Sequence, residues 1–188
     1  MTVQNKPATK VVTEKVRFSY TYVFEPREAE GQEPKYSVTL LIPKTDTVTL
    51  NKIRGAIDAA KAKGKQQWNG VLPPNLPTPI HDGDGVRQSG DPYGPECKGC
   101  FVLTASSRTQ PEIVDESLNR ILDRDDFYSG CYGRASLNFY PYNAAGKRGI
   151  ACGLNNLQKL ADGERLDGRS SAEEDFGGES PALDDFMQ

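Results

Sequence analysis

The 188-residue sequence has few of the features on which membrane insertion and catalysis depend. It contains one histidine, His81, and no apolar run near the roughly 20 residues that span a bilayer. It also lacks a glycine-rich phosphate loop followed by Lys and Ser or Thr, so NTP hydrolysis has no support. A lone histidine with no accompanying motif does not sustain acid–base chemistry. We therefore expect no transmembrane helix, no cofactor and no enzymatic activity.

The segment His81-Asp82-Gly83-Asp84 raises one enzymatic alternative, a metal-dependent nuclease. Such an enzyme needs several carboxylates that converge on ions about 4 Å apart. Here the acids lie in a Gly/Pro-rich stretch without a second acidic cluster, and Asp and Gly are also what a turn requires. We favour the turn.

The four cysteines are expected to be reduced, because the polar N-terminus carries no apolar signal core and predicts a cytosolic protein. Two of them have the Cys-x-x-Cys spacing of a zinc knuckle, and the other two could complete a four-thiolate site: Cys97, Cys100, Cys131 and Cys152. A second Cys-x-x-Cys pair is missing. We therefore favour buried free thiols and expect no metal.

Charge is distributed unevenly along the chain. Of 23 basic and 26 acidic residues, six acids and no base lie in residues 170–188, which leaves 23 bases against 20 acids, or +3, in the body. A mildly basic body with an acidic tail indicates a polyanionic ligand and an internal competitor for it. A tail that only improves solubility is the alternative.

Hydrophobic periodicity predicts five strands, near residues 16–24, 36–42, 101–105, 131–140 and 149–154. In the first, Val16, Phe18, Tyr20, Tyr22 and Phe24 are expected to share the half-buried face. A helix capped by Asp46 or Thr47 and ending near Gly64 separates the second and third strands, and Trp68 behind it is expected in the core. The pattern predicts a mainly β, five-stranded OB-type barrel, although strand count alone also fits a small sandwich.

The domain limits follow from composition. Residues 1–13 are expected to be a flexible lead-in, 14–162 the binding domain and 163–188 a disordered acidic tail. The Gly/Pro-rich stretch from Gly70 to Pro95 is typical of a functional or flexible loop.

The strand near residues 131–140 carries the main functional signal. Small or apolar residues alternate there with aromatic, basic and hydrogen-bonding ones, and the second set is Tyr132, Arg134, Ser136, Asn138 and Tyr140. Aromatic rings stack on unpaired bases and cations bind phosphates, so this face predicts a site for single-stranded nucleic acid. The alternative is that these tyrosines bind nothing and are present because tyrosine favours β-strands. The predicted site residues are Tyr132, Arg134, Asn138, Tyr140 and Tyr142, followed by Lys147 and Arg148, and then by Arg17 and Lys35.

Two acidic clusters in the tail end in phenylalanine. We interpret them as a partner-binding motif with Asp175, Phe176, Asp184, Asp185 and Phe186 as its residues.

Three blocks of the sequence resemble a family of bacteriophage single-stranded DNA-binding proteins. They are 128–142 (YSGCYGRASLNFYPY), 91–100 (DPYGPECKGC) and 171–176 (SAEEDF). The resemblance implies an OB fold, single-strand binding with little sequence preference, a role in phage DNA replication or recombination in the host cytoplasm, and a moderating tail. The alternative function among binding proteins is that of a strand-annealing recombination mediator. The sequence is also compatible with an oligomer.

Overall fold

The computed structural model describes residues 9–168 and 175–176. Its long strands are β2 (Val16–Arg27), β3 (Lys35–Pro43), β5 (Cys100–Ser107), β7 (Tyr132–Ala144) and β8 (Lys147–Ala161). Three short strands accompany them: β1 (Lys10–Val12), β4 (Ile80–Asp82) and β6 (Glu112–Val114). One long helix, α1, covers Thr47–Gln67, and a single 3-10 turn covers Pro95–Cys97. Within this part of the chain no helix is both long and apolar enough to cross a membrane.

The five long strands pair in a closed circuit, in the order β2, β3, β5, β8, β7 and back to β2. Only the β5–β8 contact in this circuit is parallel. The short strands extend the sheet, since β1 pairs with β7, β4 with β5 and β6 with β8. The predicted OB-type barrel is confirmed, with α1 between its second and third strands.

The barrel interior is built from the alternate residues that the sequence predicts. The inward-facing residues are Ala135, Leu137 and Phe139 on β7, with Cys131 just before it, and Val38, Leu40 and Ile42 on β3. Each fully buried aliphatic or aromatic side chain contributes about 1.5–3 kcal/mol to folding.

Helix α1 packs its apolar stripe on this core through Leu50, Ile53, Ile57 and Ala60. Asp46 caps it as predicted, accepting a hydrogen bond from Thr49 N at 3.0 Å. The helix continues past Gly64 to Gln67. Gly64 lies against the fully buried Trp68 ring, since a Cβ added at Gly64 would be 2.6 Å from it. Trp68 is therefore a core residue, as expected.

Strand β2 departs from simple alternation at Tyr20. Ser19 pairs with Thr39 and Tyr22 with Ser37, so β2 carries one extra residue there. Tyr20 has a φ of 47°, and its N–H donates to Ser129 Oγ at 3.2 Å. A β-bulge turns the following side chains to the other face. The prediction that Tyr20 and Tyr22 lie on the buried face is wrong: they are 47% and 36% exposed, and Val23 is buried instead.

Both ends of the described chain are fastened to the barrel. Residues expected in the lead-in form β1, where Val11 is 3% exposed and inserts into the core. At the other end, residues 162–168, which we call the strap, cross the outside of β7 and β2. Arg17 Nη2 donates to Glu164 O at 2.7 Å and Leu166 N donates to Ser129 O at 2.9 Å.

Candidate nucleic-acid interface

The outer faces of β2, β3 and β5 form the floor of a concave surface, which we call the groove. Its cavity has a volume of about 790 Å³. Hydroxyl side chains lie across the floor, where Thr39 Oγ1 is 3.3 Å from Thr104 Oγ1 and Ser37 pairs in register with Tyr22. Each hydroxyl on this floor can donate or accept a hydrogen bond, so a polar ligand can bind there in more than one position.

The groove walls combine tyrosine rings with arginines. On the β2 side the Arg27 guanidinium lies 5.3 Å from the Tyr22 ring centre. On the opposite side, the loop before β5 places Arg87 at 5.0 Å from the Tyr93 ring centre. Arg87 also hydrogen-bonds Tyr20, and this bond raises the pKa of the guanidinium above its usual value. Among the described residues, no Asp or Glu lines this cavity.

The loop that carries Arg87 and Tyr93 is held in place at its base. Lys44 Nζ lies 2.7 Å from a carboxylate oxygen of both Asp82 and Asp84, and Asp84 Oδ1 accepts from Gly99 N at 3.0 Å. The bonds to Lys44 lower the pKa of both carboxyls. These acids therefore act as a clamp between β3 and the loop, which leaves the nuclease alternative without free carboxylates at His81-Asp82-Gly83-Asp84.

A second cavity of about 460 Å³ adjoins the groove beyond Tyr20 and Tyr22. The strap forms one wall, with the Arg165 guanidinium 4.2 Å from the Tyr128 ring centre. Its lining differs from that of the groove because it holds four acids, Glu25, Glu96, Asp125 and Asp167, against two arginines. Phosphates are therefore repelled more there than in the groove.

The structure does not gather the sequence-predicted residues into one site. Tyr132 lies beside β2, with Lys15 Nζ 5.3 Å and the Arg17 guanidinium 5.5 Å from its ring centre. Arg17 pairs with Leu41, whose side chain lies on the groove floor. Tyr132 and Arg17 therefore extend the groove at one end, and Lys35, which pairs with Arg27, lies beside it at the other.

The middle of β7 is engaged with the N-terminal segment. Arg134 Nε donates to Thr13 O at 2.9 Å, and Asn138 accepts from Thr9 Oγ1 at 3.1 Å. Tyr140, Tyr142, Lys147 and Arg148 lie at the far end of β7 and in the β7–β8 hairpin. Tyr140 is eight residues from Tyr132, or roughly 26 Å along an extended strand.

The sequence reasoning missed five groove residues: Tyr20, Tyr22, Arg27, Arg87 and Tyr93. The sequence pattern assigned Tyr20 and Tyr22 to the buried face. Their alternation along the chain is regular, and the bulge becomes visible only when β2 is paired with β3. For the other wall a signal existed, because Arg87 and Tyr93 stand in the Gly/Pro-rich stretch that predicted a functional loop.

The cysteines lie in two separate places. Cys131 and Cys152 are in the barrel core, whereas Cys97 belongs to a small outer cluster with Leu41 and Val102. All four are free, and burial raises the pKa of each thiol. Over residues 9–168 and 175–176, no three metal-ligating side chains come together, so the weighed four-cysteine zinc site is not assembled.

Comparison with known proteins identifies the family. The model for the single-stranded DNA-binding protein of Enterobacter phage Enc34 matches residues 9–187. The chain belongs to this family.

The chain is similar to two solved phage proteins and to one further phage protein. The Enc34 protein solved in complex with single-stranded DNA is 27% identical, with a TM-score of 0.72 over 85% of this chain and 90% of that one. Protein p50 of Acyrthosiphon pisum secondary endosymbiont phage 1 is 29% identical over 85% of this chain and 87% of its own length. The single-stranded DNA-binding protein of bacteriophage T7 shares the fold at 14% identity, with a TM-score of 0.58 over 93% of this chain and 96% of that one.

Proposed function

We propose that this protein binds single-stranded DNA in the groove, with little sequence preference. The observation that carries the proposal is the pairing of Tyr22 with Arg27 and of Tyr93 with Arg87 on the two walls of one acid-free cavity. Each base that stacks on an aromatic ring gains about 1–3 kcal/mol whatever its identity, and the arginines bind the phosphates between the bases. The Enc34 protein solved with single-stranded DNA supports this ligand.

The path of the strand follows from charge. A polyanion is favoured along the groove and disfavoured at the acid-rich cavity beside it, so the strand crosses β2, β3 and β5. Tyr132 and Arg17 extend this path at one end and Lys35 at the other. Arg134 and Asn138 hold the N-terminal segment beside it.

The biological role that fits is protection of single strands during phage DNA replication or recombination in the host cytoplasm. The acidic tail competes with DNA for the groove, and its phenylalanine clusters recruit partner proteins. Of the tail motif, the structure describes Asp175 and Phe176, while Asp184, Asp185 and Phe186 lie outside the described residues.

A titration with single-stranded DNA, duplex DNA and RNA at several salt concentrations tests the proposal. We expect preference for single-stranded DNA, similar affinity for different sequences, and log affinity that falls linearly with log salt by about 0.7 per phosphate contacted. Tighter binding of duplex DNA, or affinity that varies by orders of magnitude with sequence, contradicts it. Incubation of the same oligonucleotides with Mg²⁺ should leave them intact.

A further inference from the structure

An acidic stretch with exposed leucines lies at one end of the barrel. Residues 112–126, which we call the acidic segment, hold six acids against two bases, or −4. Within it Leu118 and Leu122 are 71% and 81% exposed. Exposed apolar side chains rimmed by polar residues mark sites of protein contact. The charge of this segment repels DNA, so its partner is cationic.

The turn that carries Leu118 is held in one conformation. Asp115 Oδ1 accepts hydrogen bonds from Ser117 N at 2.9 Å and from Asn119 N at 3.0 Å. Gln158 Nε2 on β8 donates to Asp115 O at 3.3 Å and ties the turn to the barrel. Leu118 itself has a φ of 66°, a region that a bulky side chain rarely adopts. The turn therefore presents an apolar side chain outward where glycine or asparagine would fit with less strain.

A surface of the opposite charge lies at the end of α1. Residues 59–72, which we call the lysine segment, hold no acid and three lysines: Lys61, Lys63 and Lys65. Within the described part of the chain, these lysines take part in none of the ion pairs. The segment ends in Val71 and Leu72, which are 63% and 40% exposed. It therefore complements the acidic segment in charge and also carries two exposed apolar side chains.

The two segments of one protomer are too far apart to meet. A Cβ added at Gly64 of α1 would lie 3.0 Å from Pro141 Cβ, and Pro141 pairs with Ile150 on β8. The acidic segment is fastened further along the same strand, where Val114 pairs with Gln158. From Ile150 to Gln158 an extended strand covers roughly 26 Å. A lysine segment that contacts the acidic segment therefore belongs to a second copy of the chain.

The groove runs between the same two ends of the barrel. At one end Arg17 pairs with Leu41, close to the end of β3 from which α1 follows. At the other end Lys35 begins β3 beside Tyr36, and Tyr36 pairs with Ser107. Ser107 ends β5, from which the chain continues into the acidic segment. A path from the lysine segment to the acidic segment therefore follows the length of the groove.

We propose that the acidic segment of one protomer binds the lysine segment of the next, so that protomers assemble head to tail on single-stranded DNA. The contact joins unlike surfaces at opposite ends of the molecule, so it repeats as a row and does not close as a two-fold dimer. The row places grooves end to end, and one strand passes from each groove into the next. The DNA part of this proposal rests on the proposed function, whereas the protein contact stands without it.

Zero-length carbodiimide cross-linking tests the protein contact, because it joins a lysine to a carboxylate only where the two groups touch. The full-length protein is mixed with an isotope-labelled copy, so that links between protomers carry both isotopes. The reaction is run at low salt with and without a thymidine oligonucleotide. We expect mixed-isotope peptides that join residues 59–72 to residues 112–126, and their yield should fall as salt rises.

The dependence of binding on strand length tests the row. The measured quantity is the affinity per protomer on a thymidine strand that holds several protomers, divided by that on a strand that holds one. This ratio should be about tenfold or more for the wild type, since several ion pairs and apolar contacts form together. It should fall to near one in Glu116→Lys/Asp126→Lys and in Lys61→Glu/Lys65→Glu. Both reversals combined in one chain should restore it.

Glu28→Lys/Glu30→Lys is the matched control, because it makes the same change in charge at exposed acids between β2 and β3. It should leave the ratio unchanged, whereas Leu118→Ser/Leu122→Ser should lower it. A ratio near one for the wild type, or a ratio that the acidic-segment reversal leaves unchanged, overturns the proposal. Mixed-isotope links from the lysine segment to residues 170–188 alone also overturn it and make the tail the occupant. Failure to bind either strand contradicts the proposed function, and the cross-links then decide the protein contact by themselves.

Discussion

At the scale of single residues, Tyr22 and Tyr93 are the side chains on which the groove depends. Each has a guanidinium beside its ring. Tyr22 lies outside the buried core, whereas Tyr93 also packs against the outer cluster of Cys97, Leu41 and Val102. We expect Tyr22→Ala and Tyr93→Ala each to weaken single-strand binding by about 1–3 kcal/mol. Tyr22→Ala should leave the unfolding temperature unchanged, whereas Tyr93→Ala should lower it slightly because Tyr93 packs against the outer cluster. Fluorescence titrations and thermal melts measure the two effects.

Tyr22→Phe is the matched control for this prediction, because it keeps the ring and removes the hydroxyl. It should bind within about twofold of wild type, since stacking needs only the π surface. If the alanine and phenylalanine variants bind equally well, the ring at this position does not stack on a base.

At the scale of elements, the clamp at Lys44 decides whether the loop with Arg87 and Tyr93 stays over the groove. Because Asp82 and Asp84 have lowered pKa values, their contribution is fully present above the usual carboxyl range. It is lost as pH falls through the lowered values, when the carboxylates take up protons and release Lys44. The protection of the Gly99 amide, which donates to Asp84, should therefore fall in acid before that of the barrel strands, with each exchange rate compared with the intrinsic rate at the same pH.

Lys44→Gln should produce the same loss of protection at Gly99 at neutral pH, measured there as faster exchange, and should weaken single-strand binding. Lys52→Gln, which removes an exposed ion pair with Glu14 on another part of the barrel, should change neither. An unchanged exchange rate at Gly99 in Lys44→Gln would show that the loop is held by its apolar contacts, through Cys97 and Tyr93, and not by the clamp.

At the scale of the whole molecule, the tail is negatively charged and the body before it is positively charged. Residues 170–188 hold six acids and no base, and the strap delivers the chain to the groove side of the barrel before the tail begins. A short tether gives the tail an effective concentration of about a millimolar there. Deleting residues 170–188 should tighten single-strand binding, and the gain should shrink as salt rises because screening weakens the competitor.

Leu183→Ala/Phe186→Ala is the control for the tail, because it retains every acid. It should leave DNA affinity nearly unchanged and reduce binding to a replication partner. Unchanged or weaker DNA binding after the deletion would exclude competition and leave the tail as a solubility device or a partner motif.

The sequence by itself determined the barrel, because burial is a local, periodic property. The alternation on β3 and β7, the Asp46 cap and the apolar stripe of α1 each required only neighbours along the chain. It also indicated the ligand, through the mixture of aromatic and basic residues and the acidic tail.

Only the tertiary structure showed which residues share the proposed groove. One extra residue in β2, visible only against its partner β3, turned Tyr20 and Tyr22 outward. The loop that supplies Arg87 and Tyr93 reaches the groove through contacts with Lys44, far away in sequence. The residues predicted to share one face along β7 likewise do not share one contact region, because Tyr132 and Tyr140 are about 26 Å apart along the strand. Strand periodicity specifies which side of a sheet a residue faces, but barrel closure determines which residues share a surface.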